Sequence, residues 1–469
     1  MSDRGPLRTT PQRAGFELAA AGGGSARLGV RDASSPRSRR ALIGVAGLLV
    51  TGFVIALSAA HTDSLLPESI RPVPSSLAGP FGTAGLNLHP GGLIVVLSLM
   101  LVSYAVVATA AAELSGRTVL MAIAALHAVV LLAPPLLSTD IFSYQAYARM
   151  GQLFGFNPYL SGPHAIALDP LFQYIGAKWS YIPSVYGPVF TAFSYVLAPV
   201  SIAASIIAYK AVATIASLGI VVLVWKAARL RGLDPVKAAA LVGLNPLLVV
   251  YGVGGGHNDL LMLLALVGAV YAILLYRERL GGGLTVLALG IKLTAGLLLP
   301  FAIAAGGPRR GRGRRHDLLV GAGAALALLI SLSYAMFGPG VINLFATVQQ
   351  SQSEGDWHSI PGFVSRLGLP TVGHIVGYTL AAVFVGITAW LVRRVWRGQT
   401  DWIDGAGWAT AAMLVAASSL EPWYVAWLLP LAALGSDRRL FRTAIAMTCV
   451  VLVVLMVGYI PHGVSIPGL

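Results

Sequence analysis

The chain has 469 residues, of which 56% are hydrophobic and only 11% charged, and its mean hydropathy is +0.77. This apolar surplus exceeds what the core of a soluble domain needs, which excludes a soluble globular protein and makes the bilayer the solvent for most of the chain. The net charge of +14 comes from Lys and Arg residues at the ends of apolar runs, which is typical of positive-inside bias and not of a nucleic-acid site.

The N-terminal 40 residues differ from the rest of the chain. Residues 1–40 are polar and rich in Gly, Ser and Arg, a composition that cannot bury a core, so we predict a disordered basic tail. The first apolar run, 41–60, is too long for the apolar region of a cleaved signal peptide, and it follows Arg37, Arg39 and Arg40. We therefore predict an uncleaved first span with a cytosolic N-terminus, which begins a single transmembrane domain over 41–469.

Long apolar runs recur along the rest of the chain. A helix of about 20 apolar residues crosses a bilayer, and lipid leaves no water for unpaired strand edges, so these runs predict an all-α membrane bundle. Together with a hairpin in 284–305 they give about 13 transmembrane helices. The single spans are predicted at 41–60, 91–112, 118–137, 205–227, 236–253, 260–276, 317–337, 371–393, 404–420, 422–435 and 440–459.

The segment 284–305 carries Lys292 in its middle and has arginines on both sides. Arg277 and Arg279 precede it, and five arginines follow it between 309 and 315. Both flanks favour the cytosol, and a single span would separate them. We therefore predict two short helices in a hairpin, with Lys292 near the turn and directed toward a polar cavity, because an ammonium that faces lipid is costly.

The stretch 187–199 is apolar, but we place it on the outer surface as a juxtamembrane or re-entrant helix. A crossing there would put the basic cluster between 226 and 237 outside. We predict that 138–204 forms an extracytoplasmic loop with juxtamembrane helices in a multi-pass plasma-membrane protein. With this topology 26 of the 32 Lys and Arg residues are cytosolic, and the six outside are Arg71, Arg149, Lys178, Lys210, Lys292 and Arg366.

The outer loop is the best candidate for a functional site. It begins S-T-D-I-F-S-Y-Q-A-Y-A-R-M and continues with N-P-Y at 157–159 and Y-I-P-S-V-Y-G-P at 181–188. Asp140 follows a span directly, at the membrane–water boundary. As a structural alternative, Asp140 or a neighbour caps a surface helix whose tyrosines belong to the aromatic belt, and a carboxylate can do both. The other candidates in this loop are Tyr144, Arg149 and Tyr186.

Further polar residues are predicted to reach the same level of the membrane. A G-G-G-H-N-D turn lies between two spans, E-P-W-Y lies between two later ones, and lysines occupy the start of one span and the predicted hairpin. Singly, each can be a snorkelling or capping residue. Jointly they predict one cavity at the outer leaflet. These residues are His257, Asn258, Asp259, Lys210, Lys292, Glu421 and Trp423.

Such a cavity suits a lipid-linked sugar donor. Cations hold the phosphate, aromatic rings stack on sugar faces, and a carboxylate deprotonates the acceptor hydroxyl. A carboxylate is a weak base, but it serves because phosphate leaves easily and deprotonation can lag behind cleavage in an oxocarbenium-like transition state. The cytosolic loops hold no phosphate-binding Gly-rich motif, and the single cysteine, Cys449, lies in an apolar run, so neither nucleotide binding nor redox chemistry is indicated.

The order of these motifs resembles the GT-C glycosyltransferases. The chain has an aspartate after an early span, then N-P-Y, then Y-x-P-S-x-Y-G-P, then an interrupted helix with L-x-L-G-I-K-L-T. This order is most similar to that of the actinobacterial polyprenyl-phosphomannose-dependent alpha-1,6-mannosyltransferases of the MptA and MptB type. The G-G-H-N-D and E-P-W-Y motifs strengthen the resemblance. It extends from about residue 40 to the end of the chain, and the tail does not contribute.

The resemblance implies an inverting enzyme that moves mannose from polyprenyl-phosphate-mannose to a mannan or phosphatidylinositol-mannoside-type acceptor. The product would be an alpha-1,6 linkage in lipomannan and lipoarabinomannan. The family's base is the acid in the first large outer loop, which is Asp140 here. A second acid is often close by in the family, but the only other acid in this loop is Asp169. We therefore expect no metal and no cofactor besides the donor substrate, and membrane lipids but no nucleic acid as partners.

Other functions stay open at this point. A GT-C transferase with another polyprenyl-phosphate sugar or another acceptor is the more serious alternative, because the sequence identifies neither. A lipid or sugar transporter or flippase also needs broken helices and intramembrane charges, yet the two halves of the chain show no repeat, and the acids gather at the outer boundary rather than at the midplane. A non-catalytic scaffold is disfavoured by the polar cavity.

Overall fold

The computed structural model describes residues 36–305, 312–353 and 358–458. Every regular element in these residues is a helix, which confirms the all-α class. Most of the predicted tail lies outside the described residues, whereas 36–40 form the start of the first helix, ahead of the predicted boundary at 41. The helices are α1 (Pro36–Ser58), α2 (His89–Ala110), α3 (Gly116–Leu132), α4 (Asp140–Gln152), α5 (Pro188–Tyr195), α6 (Ile202–Leu230), α7 (Pro235–Gly243), α8 (Asp259–Leu274), α9 (Glu278–Ile291), α10 (Leu298–Ala304), α11 (Arg312–Phe337), α12 (Asn343–Ser353), α13 (Ile360–Arg366), α14 (Pro370–Trp396), α15 (Trp402–Ala416), α16 (Leu429–Leu434) and α17 (Arg438–Gly458).

Six helices in the described residues are long and apolar enough to cross a bilayer, by length and composition. They are α1, α2, α6, α11 with its continuation into α12, α14 and α17, and a bent pair that begins with α7 makes a seventh if it counts as one span. A polytopic membrane bundle is thereby confirmed. The count of 13 stays a prediction, because other apolar helices such as α3 and α8 are shorter than a full span.

Asn245 lies at the bend between the two halves of this pair. Here the chain turns by 46° from α7 into the π-helical segment Leu247–Val253. The Oδ1 atom of Asn245 accepts the first two N–H groups of that segment, and Nδ2 donates to the hydroxyls of Tyr104 and Thr448, each at 2.9 Å. The buried amide therefore caps the second half of the pair and ties it to α2 and α17. The G-G-G-H-N-D turn follows directly.

The predicted break at Lys292 is confirmed. Lys292 has an extended backbone, with φ −150° and ψ 126°, between α9 and the 3₁₀ turn Leu293–Leu297 that leads into α10. Leu289 packs on Gly296, so the chain folds back on itself after the break. Phe301 of α10 lies against Gly405, near the start of α15.

The segment between α3 and α6 forms a separate layer at one end of the bundle. It contains α4, three short 3₁₀ turns and α5, which has eight residues and is too short to cross a membrane. The N–H of Gly187, just before α5, donates to the carbonyl of Ile291 at 3.0 Å. A Cβ atom at Gly187 would lie 2.2 Å from the carbonyl oxygen of Gly290, so only glycine allows this loop to approach the Lys292 break.

Candidate active site

A cavity of about 410 Å³ opens where this layer meets the break in the hairpin. Its size falls in the range of small-molecule sites. Two carboxylates and two lysines lie on its wall together with several aromatic rings. Its charged and aromatic lining consists of Asp140, Lys178, Trp179, Tyr186, Lys292, Phe384, Glu421, Trp423, Tyr424 and Trp427.

Asp140 is the first residue of α4, and its side chain is 19% exposed. The N-cap residue, Thr139, makes no side-chain capping hydrogen bond, and the N–H of Asp140 donates to Oγ of Ser138 at 3.1 Å. The carboxylate lies on the cavity wall with Oδ2 at 3.4 Å from Nδ1 of His257.

His257 lies behind the cavity wall. Its side chain has no exposed surface, and its ring stacks on Trp423 with the centroids 3.6 Å apart and the planes 20° apart. The glycines before it make this packing possible. A Cβ atom at Gly255 would lie 2.6 Å from Nε2 of His257, and one at Gly256 would lie 2.6 Å from Cδ1 of Ile141. The G-G-G-H-N-D turn can therefore lie directly against the start of α4.

Lys292 forms the cationic part of the wall. Its Nζ lies 2.7 Å from Oδ1 of Asp259, the first residue of α8, and that carboxylate is almost fully buried. The same Oδ1 accepts a hydrogen bond from Nε1 of Trp427 at 2.7 Å. The ammonium also lies over the rings of Tyr424 and Trp427, 4.6 and 5.1 Å from their centroids. The ion pair and the two rings thus fix the ammonium in the cavity.

Two tyrosines connect Asp140 to the G-G-G-H-N-D turn. Tyr186 lines the cavity, and Tyr144 lies behind it with the ring centroids 4.7 Å apart in an edge-to-face arrangement. The Tyr144 hydroxyl donates to Oδ1 of Asn258 at 3.4 Å and accepts the N–H of Asn258 at 3.3 Å. Burial first, and then the Asp140 carboxylate, raise the pKa of both tyrosines well above the ordinary value, so their hydroxyls stay protonated.

The structure divides the sequence-predicted residues into three groups. Those on the cavity wall are Asp140, Tyr186, Lys292, Glu421 and Trp423. Those directly behind the wall are Tyr144, His257 and Asp259, each in contact with a wall residue, and Asn258, which is bonded to Tyr144. The two others, Arg149 and Lys210, do not line the cavity.

Arg149 lies away from the cavity wall in an ion pair, and its expected contact with substrate stays a prediction. Its guanidinium donates from Nε and Nη2 to Oδ2 of Asp169, at 3.0 and 2.7 Å, and from Nη1 to the carbonyl of Ala198 at 3.3 Å. Asp169, the second acid of the loop, is buried in this pair and so does not stand beside Asp140. The pair joins α4 to the 3₁₀ turns of the loop and to the end of α5.

Lys210 likewise lies away from the cavity wall, and its expected contact with substrate stays a prediction. It is 1% exposed, and its Nζ donates to the carbonyl oxygens of Val130 at 3.0 Å, Pro134 at 3.1 Å and Ala133. These carbonyls lie at or just after the C-terminal end of α3, where a helix leaves its last carbonyls without full helical pairing, and that of Val130 also accepts the N–H of Ala133 at 3.2 Å. All three protons of the ammonium are therefore used in closing the end of a helix, and none is directed at the cavity.

Sequence reasoning missed several residues on the wall. Trp427 follows Trp423 by four residues and could have been found as the next ring of the E-P-W-Y segment. Lys178 and Trp179 lie between the recognised N-P-Y and Y-x-P-S motifs and carried no signal of their own. The remaining polar residues come from the 3₁₀ turn after Lys292, from α12 and from the turn before Glu421, and they are Thr294, Ser351, Gln352, Ser418 and Ser419.

In the part of the chain that the structure describes, no group of three or more His, Cys, Asp or Glu side chains is arranged to hold a metal ion. The expectation that the protein needs no metal stays a prediction.

Two family models match the chain. The model described as the alpha-(1→6)-mannopyranosyltransferase N-terminal domain matches residues 41–306, and the MptB C-terminal domain matches 356–467. Both regions contribute to the cavity, because Asp140 and Lys292 belong to the first and Glu421 and Trp423 to the second. The cavity therefore depends on both matched regions.

Two alpha-(1→6)-mannopyranosyltransferases are similar to this chain over most of its length. Alpha-(1→6)-mannopyranosyltransferase A of Mycobacterium tuberculosis is 26% identical over 444 residues, covering 88% of this chain and 83% of the relative. Alpha-(1→6)-mannopyranosyltransferase B of Corynebacterium glutamicum is 27% identical over 358 residues, covering 67% of this chain and 58% of the relative. Because the N-terminal model alone matches more than half of the chain, the protein belongs to the MptA/MptB family of alpha-(1→6)-mannopyranosyltransferases.

Proposed function

We propose that the protein transfers mannose from polyprenyl-phosphate-mannose to a mannan acceptor and forms an alpha-(1→6) linkage, on the extracytoplasmic side of the membrane, in lipomannan and lipoarabinomannan synthesis. The names of the relatives support alpha-(1→6)-mannosyl transfer. The observation that carries the proposal is that a single aromatic-lined cavity contains both the Asp140 carboxylate and the Lys292 ammonium.

Asp140 acts as the general base. The acceptor's 6-hydroxyl oxygen attacks C1 of the mannose while the bond from C1 to the phosphate oxygen breaks, and the phosphate leaves with the bonding electrons. The hydroxyl proton moves to Asp140. Because attack occurs opposite the leaving group, a beta-linked mannose becomes alpha-linked in the product. A carboxylate suffices, since the transition state has oxocarbenium character and the proton is lost late.

Lys292 neutralises charge that builds on the leaving phosphate. A cation fixed before the reaction costs little reorganisation, and its effect is stronger in a cavity that excludes water. The ion pair with Asp259 and the rings of Tyr424 and Trp427 hold the ammonium in place. Tyr186 and Trp423 offer ring faces or edges to the sugars on the same wall.

A lipid-linked donor is supported by the surface next to the cavity. Phe384 of α14 lines the cavity and also an almost wholly apolar groove of about 680 Å³ between α10 and α14. The groove extends along α14 as far as Trp396. An isoprenoid chain that leaves the cavity at Phe384 would therefore stay in contact with apolar side chains while the sugar phosphate remains beside Lys292.

The direct test uses the full-length protein in membranes, with polyprenyl-phosphomannose and a short alpha-1,6-mannoside. We expect a product extended by one alpha-(1→6)-linked mannose, and Asp140→Asn should lower the rate by about 10²–10⁴-fold, the contribution of a general base. Asp63→Asn, which changes an exposed acid away from the cavity, is the matched control. Addition of a chelator should leave the rate unchanged.

Glu421 is the rival base, because it lies on the same cavity wall. Glu421→Gln is therefore measured in parallel. If Asp140→Asn keeps near-normal activity and Glu421→Gln loses it, the role passes to Glu421 and the rest of the proposal stands. Transfer from a different polyprenyl-phosphate sugar, with none from the mannose donor, would overturn the choice of donor.

A further inference from the structure

Two buried histidines in this protein have different surroundings. The ring nitrogens of His127 in α3 both have partners, the carbonyl of Ile123 and the hydroxyl of Ser217, each at 2.8 Å. His257 is equally buried, but among the described residues neither of its ring nitrogens has a hydrogen-bond partner. A buried polar group without a partner is rare and calls for an explanation, such as a role in the reaction.

The polar group nearest to His257 is the proposed base. Its Nδ1 lies 3.4 Å from Oδ2 of Asp140, slightly too far for a good hydrogen bond. Catalytic hydrogen bonds are often long in a site without substrate and shorten when substrate binds. A small movement of the Asp140 side chain would close the distance.

His257 itself has little freedom to move. Trp423 stacks on one face of its ring at 3.6 Å, and the backbone of Gly255 lies against its Nε2 edge. The ring does not line the cavity, so the side chain reaches substrate only through its neighbours. Rigidity of this kind suits a group that orients another side chain and does not suit one that binds a donor directly.

We propose that His257 is a positioning residue for Asp140. This inference rests on the proposed role of Asp140 as the base. Nδ1–H of His257 donates to Oδ2 and holds the carboxylate in one rotamer, so that Oδ1 is directed at the acceptor hydroxyl. Without this donor the carboxylate samples other rotamers, and a misplaced base lowers the rate of the chemical step without weakening substrate binding.

The test compares His257→Asn, His257→Gln and His257→Ala in the full-length protein. The amide nitrogen of Asn lies where Nδ1 lies in histidine, whereas that of Gln reaches the position of Nε2. We expect Ala and Gln to lower kcat about 10- to 100-fold, the loss of a hydrogen bond to a charged group, with KM for donor and acceptor unchanged. His257→Asn should recover most of that loss. His164→Gln, an exposed histidine stacked on Tyr181, is the matched control.

Two results would overturn the proposal. One is a higher donor KM with an unchanged kcat, which would mean that His257 contacts the donor. The other is an Asn variant no better than Gln. If His257→Ala does not accumulate in the membrane, the comparison of kcat between His257→Asn and His257→Gln is the test.

The double variant Asp140→Asn/His257→Ala separates this inference from the assignment of the base. It should be no slower than Asp140→Asn, because His257 acts only through that carboxylate. A further loss in the double variant contradicts the positioning role, whereas an active Asp140→Asn single variant contradicts the base.

Discussion

Nζ of Lys292 lies 2.7 Å from Oδ1 of Asp259, and the same oxygen accepts the indole N–H of Trp427. One carboxylate thus connects three parts of the fold, namely the break in the hairpin, the start of α8 and the segment after Glu421. The two donors give hydrogen-bond partners to one oxygen of a carboxylate that is almost fully buried. The pair explains why a lysine is tolerated at a helix break inside the bundle.

Removing the Asp259 charge should impair catalysis through Lys292. In Asp259→Asn the ammonium loses its anchor, and we expect kcat/KM for the donor to fall about 10²-fold, as for loss of one fixed group that stabilises developing charge. Lys292→Met should lose at least as much. Steady-state kinetics with varied donor concentration measure both.

The control for this prediction is the ion pair between Arg279 and Asp317. Its atoms are 2.9 Å apart, but both side chains are largely exposed. Such pairs contribute little, so Asp317→Asn should leave kcat/KM unchanged. An Asp259→Asn variant that behaves like Asp317→Asn would show that the ion pair is not needed for the reaction, and an equally active Lys292→Met would exclude Lys292 from catalysis.

Lys210→Met should affect stability and not the binding of the donor. The substitution removes the ammonium from three buried carbonyls at the end of α3, of which that of Val130 keeps the N–H of Ala133, and each group left unsatisfied costs about 1–3 kcal/mol. We expect a lower midpoint of thermal unfolding in detergent, with the donor KM of the folded fraction unchanged. Lys226→Met, an exposed lysine of the same helix, is the control. A raised donor KM at normal stability would mean that Lys210 contributes to binding of the donor.

The sequence was sufficient where a physical rule acted locally. Arginines on both sides of one apolar run required a hairpin, and the break at Lys292 followed from that requirement alone. The G-G-G-H-N-D and E-P-W-Y segments were expected at one level, and they meet through the stack of His257 on Trp423.

The sequence was insufficient where a partner is distant along the chain. Asp169 lies 20 residues from Arg149 in an irregular loop, so no periodicity indicated their pair. For Lys210 the position in the helix was clear, but the direction of the side chain depends on how α6 packs against the end of α3. Nothing in the sequence fixes that packing.

Gly256→Ala should lower activity by moving the start of α4. Gly256 has φ +66°, and a Cβ atom there would lie 2.6 Å from Cδ1 of Ile141, the neighbour of Asp140. Gly85 has nearly the same φ, +67°, with open space around it. Both variants incur about 1–2 kcal/mol of left-handed backbone strain. Only Gly256→Ala should reduce kcat, and equal activity in the two variants would show that α4 tolerates the shift.

The orientation of the outer loop can be tested with single cysteines. In a Cys449→Ser background, Leu168→Cys places a thiol on a fully exposed position of the loop between α4 and α5. Gln399→Cys places one on an exposed position between α14 and α15, which is predicted to be cytosolic. An impermeant maleimide should label Leu168→Cys in intact cells and Gln399→Cys only after permeabilisation. The reason is electrostatic, because the N-terminal tail and the cytosolic loops together hold 26 of the 32 Lys and Arg residues in this topology, and such residues are retained inside. Labelling in the opposite order would place Asp140 and Lys292 at the cytosolic face and would exclude an extracytoplasmic reaction.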